Sequence, residues 1–253
     1  MWPYPKVIAH RGGGILAPEN TLAGIRAGLR RGFHAIEFDV MLARDAVPIL
    51  MHDPQFGRTV AGAGAVPDYS AAELAAMDAG SWLDPRYAGE PVPGLRAVIE
   101  FCRAEGIWMN IEIKPAPGFE AATGRQAARL VRELFADRIG AAAADLPLFS
   151  SFSMEALRVA AEEAPEIPRG CLFDVVPDDW ARQLRELGAV ALHTNQKHLR
   201  PEQARAIKDA GHGLMCYTVN DPARARELLE WGVDAFCTDR IDLFSADFGR
   251  RPA

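Results

Sequence analysis

The sequence lacks the features that mark several large classes of protein. It has no run of 18 apolar residues and no signal-peptide pattern after Met1, so neither a membrane-spanning helix nor a secreted protein is expected. It also has no polybasic run, and 28 basic against 34 acidic residues give a net charge of -6, which argues against a nucleic-acid partner. We therefore expect a cytoplasmic protein without a nucleic-acid partner or a stable membrane association.

Cysteine is scarce, and several familiar catalytic motifs are missing. The four cysteines form no CxxC or zinc-like spacing and lie in apolar runs, so we interpret them as reduced core residues: Cys102, Cys171, Cys216 and Cys237. HxH, HExxH, GxSxG, GxGxxG and the Walker-type phosphate loop are all absent. A nucleotide-binding Rossmann protein is therefore disfavoured.

Short β-like runs are present, most of them separated by helix-like segments. We place strands at 7–9, 35–40, 48–52, 107–114, 147–152, 170–174, 190–194, 214–219 and 235–238. Only seven residues separate the second run from the third, too few for a parallel crossover, so these two are predicted to form an antiparallel hairpin. The remaining eight β-α units match a (β/α)8 TIM barrel in size; a doubly wound open sheet is the alternative.

Residues 53–93 interrupt the alternation of strands and helices. This stretch is rich in glycine and proline and shows neither the two-residue period of a strand nor the 3.6-residue period of a helix. We interpret it as an insertion at the rim of the barrel near the active site. No linker divides the chain, so residues 1–253 are predicted to form a single domain.

Ionisable residues cluster where the barrel strands end, or on the hairpin arm just beyond one. They are His10, Arg11, Glu37, Asp39, His52, Glu112 and Lys114. Side chains two apart on a strand share a face, so Glu37 and Asp39 point the same way, as do Glu112 and Lys114. Chemistry in such barrels sits at the carboxyl ends of the strands, and these groups are predicted to meet there.

The three carboxylates of this cluster predict a metal site. Glu37, Asp39 and Glu112 would repel one another in a barrel mouth unless a cation neutralised them. An all-oxygen set suits Mg²⁺ or Ca²⁺, with Mn²⁺ also possible, better than zinc. Taken singly, each residue of the wider cluster also fits a structural role: the histidines as core residues, Glu37 and Asp39 as an exposed strand face, and Glu112 with Lys114 as a surface ion pair.

The basic residues of the cluster predict phosphate chemistry. Arg11 and Lys114 beside a hard cation would attract a phosphate, and His10 and His52 could act as general acid and base near neutral pH. Together they indicate metal-assisted phosphoester cleavage. We interpret the remaining histidines as structural, with His193 the strongest exception: His34, His193, His198 and His212.

The motifs of this chain, from residue 7 to about 240, resemble those of the glycerophosphodiester phosphodiesterase family, in particular its cytoplasmic bacterial type. The matching segments are His10-Arg11-Gly12, Pro18-Glu19-Asn20-Thr21, Ile36-Glu37-Phe38-Asp39-Val40, His52-Asp53, Ile111-Glu112-Ile113-Lys114, Tyr217-Thr218-Val219-Asn220 and Thr238-Asp239-Arg240. The resemblance implies a TIM barrel with a small inserted subdomain, present as a monomer or homodimer. It also implies hydrolysis of glycerophosphodiesters, such as glycerophosphocholine or glycerophosphoethanolamine, to sn-glycerol 3-phosphate and an alcohol.

The resemblance also implies roles for individual residues. Glu37, Asp39 and Glu112 would hold a divalent metal, and Arg11 and Lys114 would bind the phosphate. His10 and His52 would be the acid/base pair, with the assignment between them open. Whether water or the glycerol 2-hydroxyl attacks first is open as well.

The chain departs from the family pattern at two positions and has one loop of uncertain role. Ala46 stands where the hairpin usually has glycine, so a different turn geometry is expected, because alanine resists a positive φ. Tyr217 stands where tryptophan is usual, and we expect it to keep an aromatic wall for the substrate. Glu19 and Asn20 are predicted to brace the phosphate loop and cap the helix that starts near Thr21.

Two further functions remain as alternatives. A lysophospholipid phosphodiesterase would need an apolar rim, for which the candidates are Phe56, Trp82, Leu83 and Tyr87. A barrel that binds phosphodiesters without cleaving them would have lost a carboxylate or a histidine of the cluster, and none is missing.

Overall fold

The computed structural model describes residues 2–249 and contains nine strands. They are β1 (Val7–Ala9), β2 (Ala35–Leu42), β3 (Pro48–Leu50), β4 (Trp108–Ile113), β5 (Leu148–Ser151), β6 (Arg169–Phe173), β7 (Ala191–Asn195), β8 (Gly213–Tyr217) and β9 (Ala235–Thr238). All nine were expected from the apolar runs, and two of them have the predicted bounds, β1 and β9. The bounds of the other strands shift by one or two residues in either direction: β2 runs two residues further than predicted, whereas β3 ends two residues earlier.

Eight of the strands form a closed parallel barrel. β1 pairs with β9 on one side and with β2 on the other, and parallel pairs continue from β2 through β4 to β9. This closure confirms the TIM barrel, and the open-sheet alternative is wrong. β3 pairs antiparallel with β2, with Val40 opposite Leu50, as the short connection predicts.

Helices connect most of the barrel strands. Their bounds are α1 (Leu22–Arg30), α2 (Ala71–Ala75), α3 (Leu95–Ala104), α4 (Glu120–Leu134), α5 (Met154–Glu163), α6 (Trp180–Leu187), α7 (Pro201–Asp209) and α8 (Pro222–Glu230). Ser153 caps α5 through Oγ, and Asp221 caps α8 ahead of a proline at the first helical position.

Strand alternation divides the side chains between two layers. Ile36, Phe38 and Val40 of β2 are fully buried in the main apolar core, as are Ile111 and Ile113 of β4. Burying such a side chain contributes about 1.5–3 kcal/mol relative to leaving it exposed. Because these residues face the helices, the intervening residues of the same strands face the barrel interior.

The segment 53–93 packs beside the barrel around a second, smaller apolar cluster. It contains α2, two short 3-10 helices (Val66–Asp68 and Pro85–Tyr87) and the isolated bridge between Gln55 and Ala65. The cluster joins Val60, Val66 and Leu74 of the segment to barrel residues such as Met41 and Ile49. The single-domain prediction also covers residues 1 and 250–253, which lie outside the described residues, and it stays a prediction.

The hairpin between β2 and β3 differs from its expected geometry. Ala46 takes a φ of +60°, so the alanine occupies the left-handed region that glycine favours, and the expectation that it would avoid a positive φ is wrong. The turn is held by a hydrogen bond from Ala43 N to Val47 O at 3.0 Å. Strand pairing therefore imposes the turn on a residue that does not favour it.

Two sequence predictions concern buried and apolar segments. All four cysteines are buried free thiols, as predicted, and burial raises the pKa of Cys102, Cys171 and Cys216 to about 12. Between residues 2 and 249, no helix has the length and apolar character needed to cross a membrane.

Candidate active site

Three carboxylates meet inside the barrel at the carboxyl end of its strands. Glu37 and Asp39 lie on β2 and Glu112 on β4, with Asp39 directly opposite Glu112 in the strand register. One oxygen from each lies within 4.8 Å of the other two. Glu37 is 3% and Asp39 1% exposed, so the cluster lies below the surface of the mouth.

Two carboxylate oxygens of the triad lack a hydrogen-bond partner among the described residues, as expected for a group that binds a cation. Glu37 Oε1 and Glu112 Oε1 are buried and accept no hydrogen bond from any described residue, although Glu112 Oε1 lies 3.4 Å from Lys114 Nζ. Buried polar atoms rarely go without a partner, so two in one cluster require an explanation. An all-oxygen donor set of this kind fits a hard divalent cation.

The electrostatics of the triad lead to the same conclusion. Burial raises the pKa of Glu37 well above its usual range, and Asp39 and Glu112 raise it further. Burial and Asp39 likewise raise the pKa of Glu112 to about 7. Burial opposes ionisation of Asp39 too, but Lys114 and Arg11 outweigh it and lower its pKa to about 2. The two glutamates therefore need a cation to be fully ionised near neutral pH.

Arg11 and Lys114 flank the triad and meet at Asp39. Arg11 Nε lies 3.5 Å from Asp39 Oδ2, and Lys114 Nζ lies 3.4 Å from Asp39 Oδ1. Each side chain keeps further donors that Asp39 does not use, and these can face a phosphate. The structure thus brings together the two cations that the sequence predicted to bind phosphate.

The loop after β1 is shaped to present Arg11. Arg11 takes a φ of +51°, and its backbone N donates to Glu37 Oε2 at 3.1 Å. At Gly14, with a φ of +54°, a Cβ would overlap the carbonyl oxygen of Asp239, so glycine is required there. A left-handed backbone at a non-glycine site residue is strain that the surrounding contacts maintain.

His10 is oriented by a residue that the sequence reasoning did not place in the site. His10 Nδ1 lies 2.5 Å from Asp239 Oδ1, and Asn220 Nδ2 donates to Asp239 Oδ2 at 2.9 Å. The Nε2 atom of His10 faces Glu37 Oε2 at 3.7 Å. A usable signal was present: Asp239 directly follows β9, the barrel neighbour of β1, so it lies beside the residue that directly follows β1.

His52 is held from both sides of its ring. Its Nδ1 lies 2.6 Å from Asp53 Oδ1, and its Nε2 lies 2.7 Å from Lys114 Nζ. Arg58 Nε in turn donates to Asp53 Oδ2 at 2.5 Å. Burial lowers the pKa of His52, and the nearby cations Arg11 and Lys114 lower it further against the opposing effect of Asp39.

The loop residues Glu19 and Asn20 are predicted to brace the phosphate loop and to cap α1, and only the capping role differs in the structure. The cap of α1 is Thr21, whose Oγ1 accepts from Gly24 N at 3.0 Å, so the prediction of a cap at Glu19 or Asn20 is wrong. Asn20 instead donates to Asp39 Oδ2 at 2.8 Å and accepts from Asp39 N at 3.1 Å. Glu19 accepts from Arg11 at 2.7 Å, which is the predicted bracing of the phosphate loop.

Two aromatic rings stand at the carboxyl ends of two other barrel strands, β5 and β8. Tyr217 ends β8, and its hydroxyl donates to the Phe173 backbone oxygen at 2.9 Å. Phe152 is 47% exposed and meets Tyr217 edge to face, with ring centroids 5.8 Å apart. Because the tyrosine hydroxyl is already bonded, the rings offer mainly an apolar wall.

The other histidines lie away from the triad's contacts. His193 is fully buried in the middle of β7, rather than at its end, and both of its ring nitrogens lack a hydrogen-bond partner among the described residues. Burial lowers its pKa to about 3, so it is a neutral core residue. Of the four candidates for an apolar rim, only Trp82 is exposed, while Phe56, Leu83 and Tyr87 are half-buried.

The fold is a (β/α)8 barrel, and its mouth carries buried carboxylates, two oriented histidines and two cations. These features define a barrel enzyme of the phosphoester hydrolase class. The family model of the glycerophosphoryl diester phosphodiesterase family matches residues 10–243. The chain belongs to this family and is a phosphoric diester hydrolase.

Individual relatives match the chain over nearly its full length. It is 31% identical over 239 residues to a glycerophosphodiester phosphodiesterase of Caldanaerobacter subterraneus, covering 92% of this chain and 93% of the relative. The solved structure of an Oleispira antarctica phosphodiesterase in complex with the product sn-glycerol-3-phosphate is 36% identical, with a TM-score of 0.86 and 93% of both chains covered. A glycerophosphodiester phosphodiesterase from Agrobacterium tumefaciens is 31% identical, with a TM-score of 0.79, covering 96% of this chain and 99% of that one.

Proposed function

We propose that this enzyme hydrolyses glycerophosphodiesters, such as glycerophosphocholine or glycerophosphoethanolamine, to sn-glycerol 3-phosphate and a free alcohol. The observation that carries the proposal is the meeting of the triad Glu37, Asp39 and Glu112 with two cations and two histidines at one barrel mouth. The product bound to the Oleispira relative supports the choice of substrate. A cytoplasmic location and a monomeric or homodimeric state stay predictions.

Glu37, Asp39 and Glu112 are proposed to hold a divalent cation, Mg²⁺ or Ca²⁺, with Mn²⁺ possible. Two buried oxygens without a hydrogen bond and three mutually repelling carboxylates support this assignment. A bound cation would supply Lewis-acid polarisation of a phosphoryl oxygen. Asn20 holds Asp39 by two hydrogen bonds, which keeps one carboxylate of the triad in place.

Arg11 and Lys114 are proposed to bind the phosphate. Both are tied to Asp39, which places the two positive charges beside the triad, where phosphoryl oxygens would bind. Their charges also stabilise the extra negative charge of the pentacoordinate transition state. Tyr217 and Phe152 are proposed to pack against the carbon atoms of the substrate.

His10 and His52 are proposed to be the acid/base pair. Each ring is held at Nδ1 by an aspartate, Asp239 or Asp53, so Nε2 is the nitrogen proposed to transfer the proton; in His52 this atom lies 2.7 Å from Lys114 Nζ. The lowered pKa of His52 keeps its ring neutral near pH 7, which suits it to accept a proton. His10 then has the complementary role of protonating the departing alkoxide.

The test is coupled detection of sn-glycerol 3-phosphate released from glycerophosphocholine. Activity is expected to vanish in EDTA and to return when Mg²⁺, Ca²⁺ or Mn²⁺ is added back. Glu112→Ala should abolish both metal binding and turnover, whereas Glu105→Ala, at an exposed carboxylate after α3, should retain them. Turnover that persists in EDTA would contradict the metal assignment, and no turnover with any metal would contradict the substrate.

A further inference from the structure

Seven side chains at the barrel mouth form a closed ring of polar contacts. In order, the ring passes through Arg11, Glu19, Arg58, Asp53, His52, Lys114 and Asp39, and then returns to Arg11. Four members are already assigned to metal, phosphate or proton transfer. The other three, Glu19, Arg58 and Asp53, complete the circuit from outside.

Arg58 is the member that joins the two ends of this outer arc. Its guanidinium donates from NH1 and NH2 to the two oxygens of Glu19, each at 2.7 Å, and from Nε to Asp53 Oδ2 at 2.5 Å. Glu19 also accepts a hydrogen bond from Arg11 at 2.7 Å, and Asp53 Oδ1 lies 2.6 Å from His52 Nδ1. One side chain of the insertion therefore touches the partners of two proposed reactive residues.

The charges around Arg58 show why its removal would disturb both partners. Burial raises the pKa of Glu19, and the hydrogen bonds from Arg58 are the largest influence that lowers it again. Asp53 is also stabilised in its charged form by Arg58 against the effect of burial. Without the guanidinium, two carboxylates would face each other across the gap with no shared partner.

We propose that Arg58 is a positioning residue for hydrolysis, which fixes His52 through Asp53 and Arg11 through Glu19. The inference rests on the proposed function. In residues 2–249, the polar contacts of Arg58 are to Glu19 and Asp53 and not to the carboxylate triad, so it acts through these two acidic partners. Because Arg58 lies in the insertion, the proposal makes residues 53–93 a part of the active site.

The geometry requires arginine rather than any cation. Only a planar fork can donate from three nitrogens to two carboxylates at once. A lysine would keep the charge and most of the apolar stem but could bind only one carboxylate well. Arg58→Lys therefore separates a positioning role from a role in folding or net charge.

The first experiment measures kcat, KM and thermal stability for Arg58→Ala and Arg58→Lys. The matched control is Arg44→Ala, because Arg44 also ties the hairpin to the insertion, through Glu73 at 2.8 Å, but makes no contact with the ring. We expect kcat to fall about 10- to 100-fold in both Arg58 variants, as is typical when a supporting partner of a site is lost. Arg44→Ala and the Mn²⁺ affinity of all variants should match the wild type.

A double-mutant cycle tests the route through Asp53. Asp53→Asn and Arg58→Ala should each lower kcat, and the double variant should lose less than the product of the two single losses, because both variants break the same connection from Arg58 to His52. Independent, multiplicative losses would overturn the proposal, as would wild-type kcat in Arg58→Lys or an equal loss in Arg44→Ala. A wild type without phosphodiesterase activity would instead refute the proposed function.

Discussion

At the scale of single residues, two aspartates give the two histidines the same orientation by different means. Asp239 follows the last barrel strand and holds His10, while Asp53 lies on the hairpin arm and holds His52. In each case the carboxylate accepts from Nδ1, which fixes the tautomer whose Nε2 carries no proton; this atom faces Glu37 in His10 and Lys114 in His52. Each proposed acid/base histidine thus has its own aspartate, and the two aspartates come from different parts of the chain.

Asp239→Asn should lower kcat about 10²-fold, the low end for loss of acid-base catalysis. The amide would keep the shape of the side chain but lose the charge that stabilises the imidazolium. His10→Ala should cost at least as much, because it removes the ring itself. Steady-state kinetics on both variants check this, with Asp242→Asn as the control, since Asp242 pairs with Arg240 outside the site. Wild-type turnover in Asp239→Asn would remove this aspartate from the mechanism.

The residues that sequence reasoning found and missed differ in how they are encoded. Glu37, Asp39, Glu112 and Lys114 follow the two-residue period of strands, so their common face was predictable. Asp239 lies 229 positions from its histidine, and only barrel closure brings them together. Arg58 has no periodic neighbours at all, since it lies in a segment whose course depends on tertiary packing.

At the scale of elements, the β2–β3 hairpin shows strand pairing overriding local preference. Three register pairs, from Val40 with Leu50 to Leu42 with Pro48, set the turn, and Ala46 accepts a positive φ as a result. The sequence correctly predicted that this hairpin is antiparallel, because seven residues permit nothing else. It could not predict the turn angle, which depends on how the two strands twist together.

Ala46→Gly should therefore raise the free energy of unfolding by about 0.5–1 kcal/mol, because glycine relieves the left-handed strain at a smaller cost in chain entropy. Urea denaturation measures the change. Ala206→Gly is the matched control: Ala206 is exposed within α7, where glycine should lower stability by about 1 kcal/mol. A loss of stability in both variants would show that Ala46 is not strained.

At the scale of the whole molecule, the barrel interior contains a titratable group with no hydrogen-bond partner in residues 2–249. His193 is fully buried, and a Cβ added at Gly170 would lie 2.7 Å from its Nε2. The ring packs near Trp2 with centroids 6.3 Å apart. Charging this ring inside the barrel would cost far more than charging it in water, so its protonation favours the unfolded chain.

Acid should therefore destabilise the fold through His193. Its pKa is about 3 when folded and about 6.5 when unfolded, so its contribution is complete above pH 6.5 and is lost as the pH falls towards 3. Within that window it should lower the free energy of unfolding by about 1.4 kcal/mol per pH unit.

Denaturation of wild type and His193→Leu at several pH values measures this slope. In His193→Leu the slope of the unfolding free energy against pH should be smaller by the contribution of one proton. Met215→Leu is the control, because it changes the packing at the paired position on β8 but keeps the histidine. Equal slopes in wild type and His193→Leu would assign the acid sensitivity to other groups.

The insertion leaves and rejoins the barrel at one place. Leu50 N donates to Pro93 O at 3.0 Å, and Ile49 bridges to Gly94, so the start and end of the excursion are pinned together on β3. A segment anchored in this way can lengthen, shorten or be replaced at a small entropic cost, since closing a longer loop costs only slightly more. Because this segment also supplies Arg58, exchanging it would retune the active site while the barrel and its carboxylates stay as they are. The fold therefore keeps the carboxylates on the barrel strands, while the proposed positioning of His52 and Arg11 depends on a segment that is anchored at a single place.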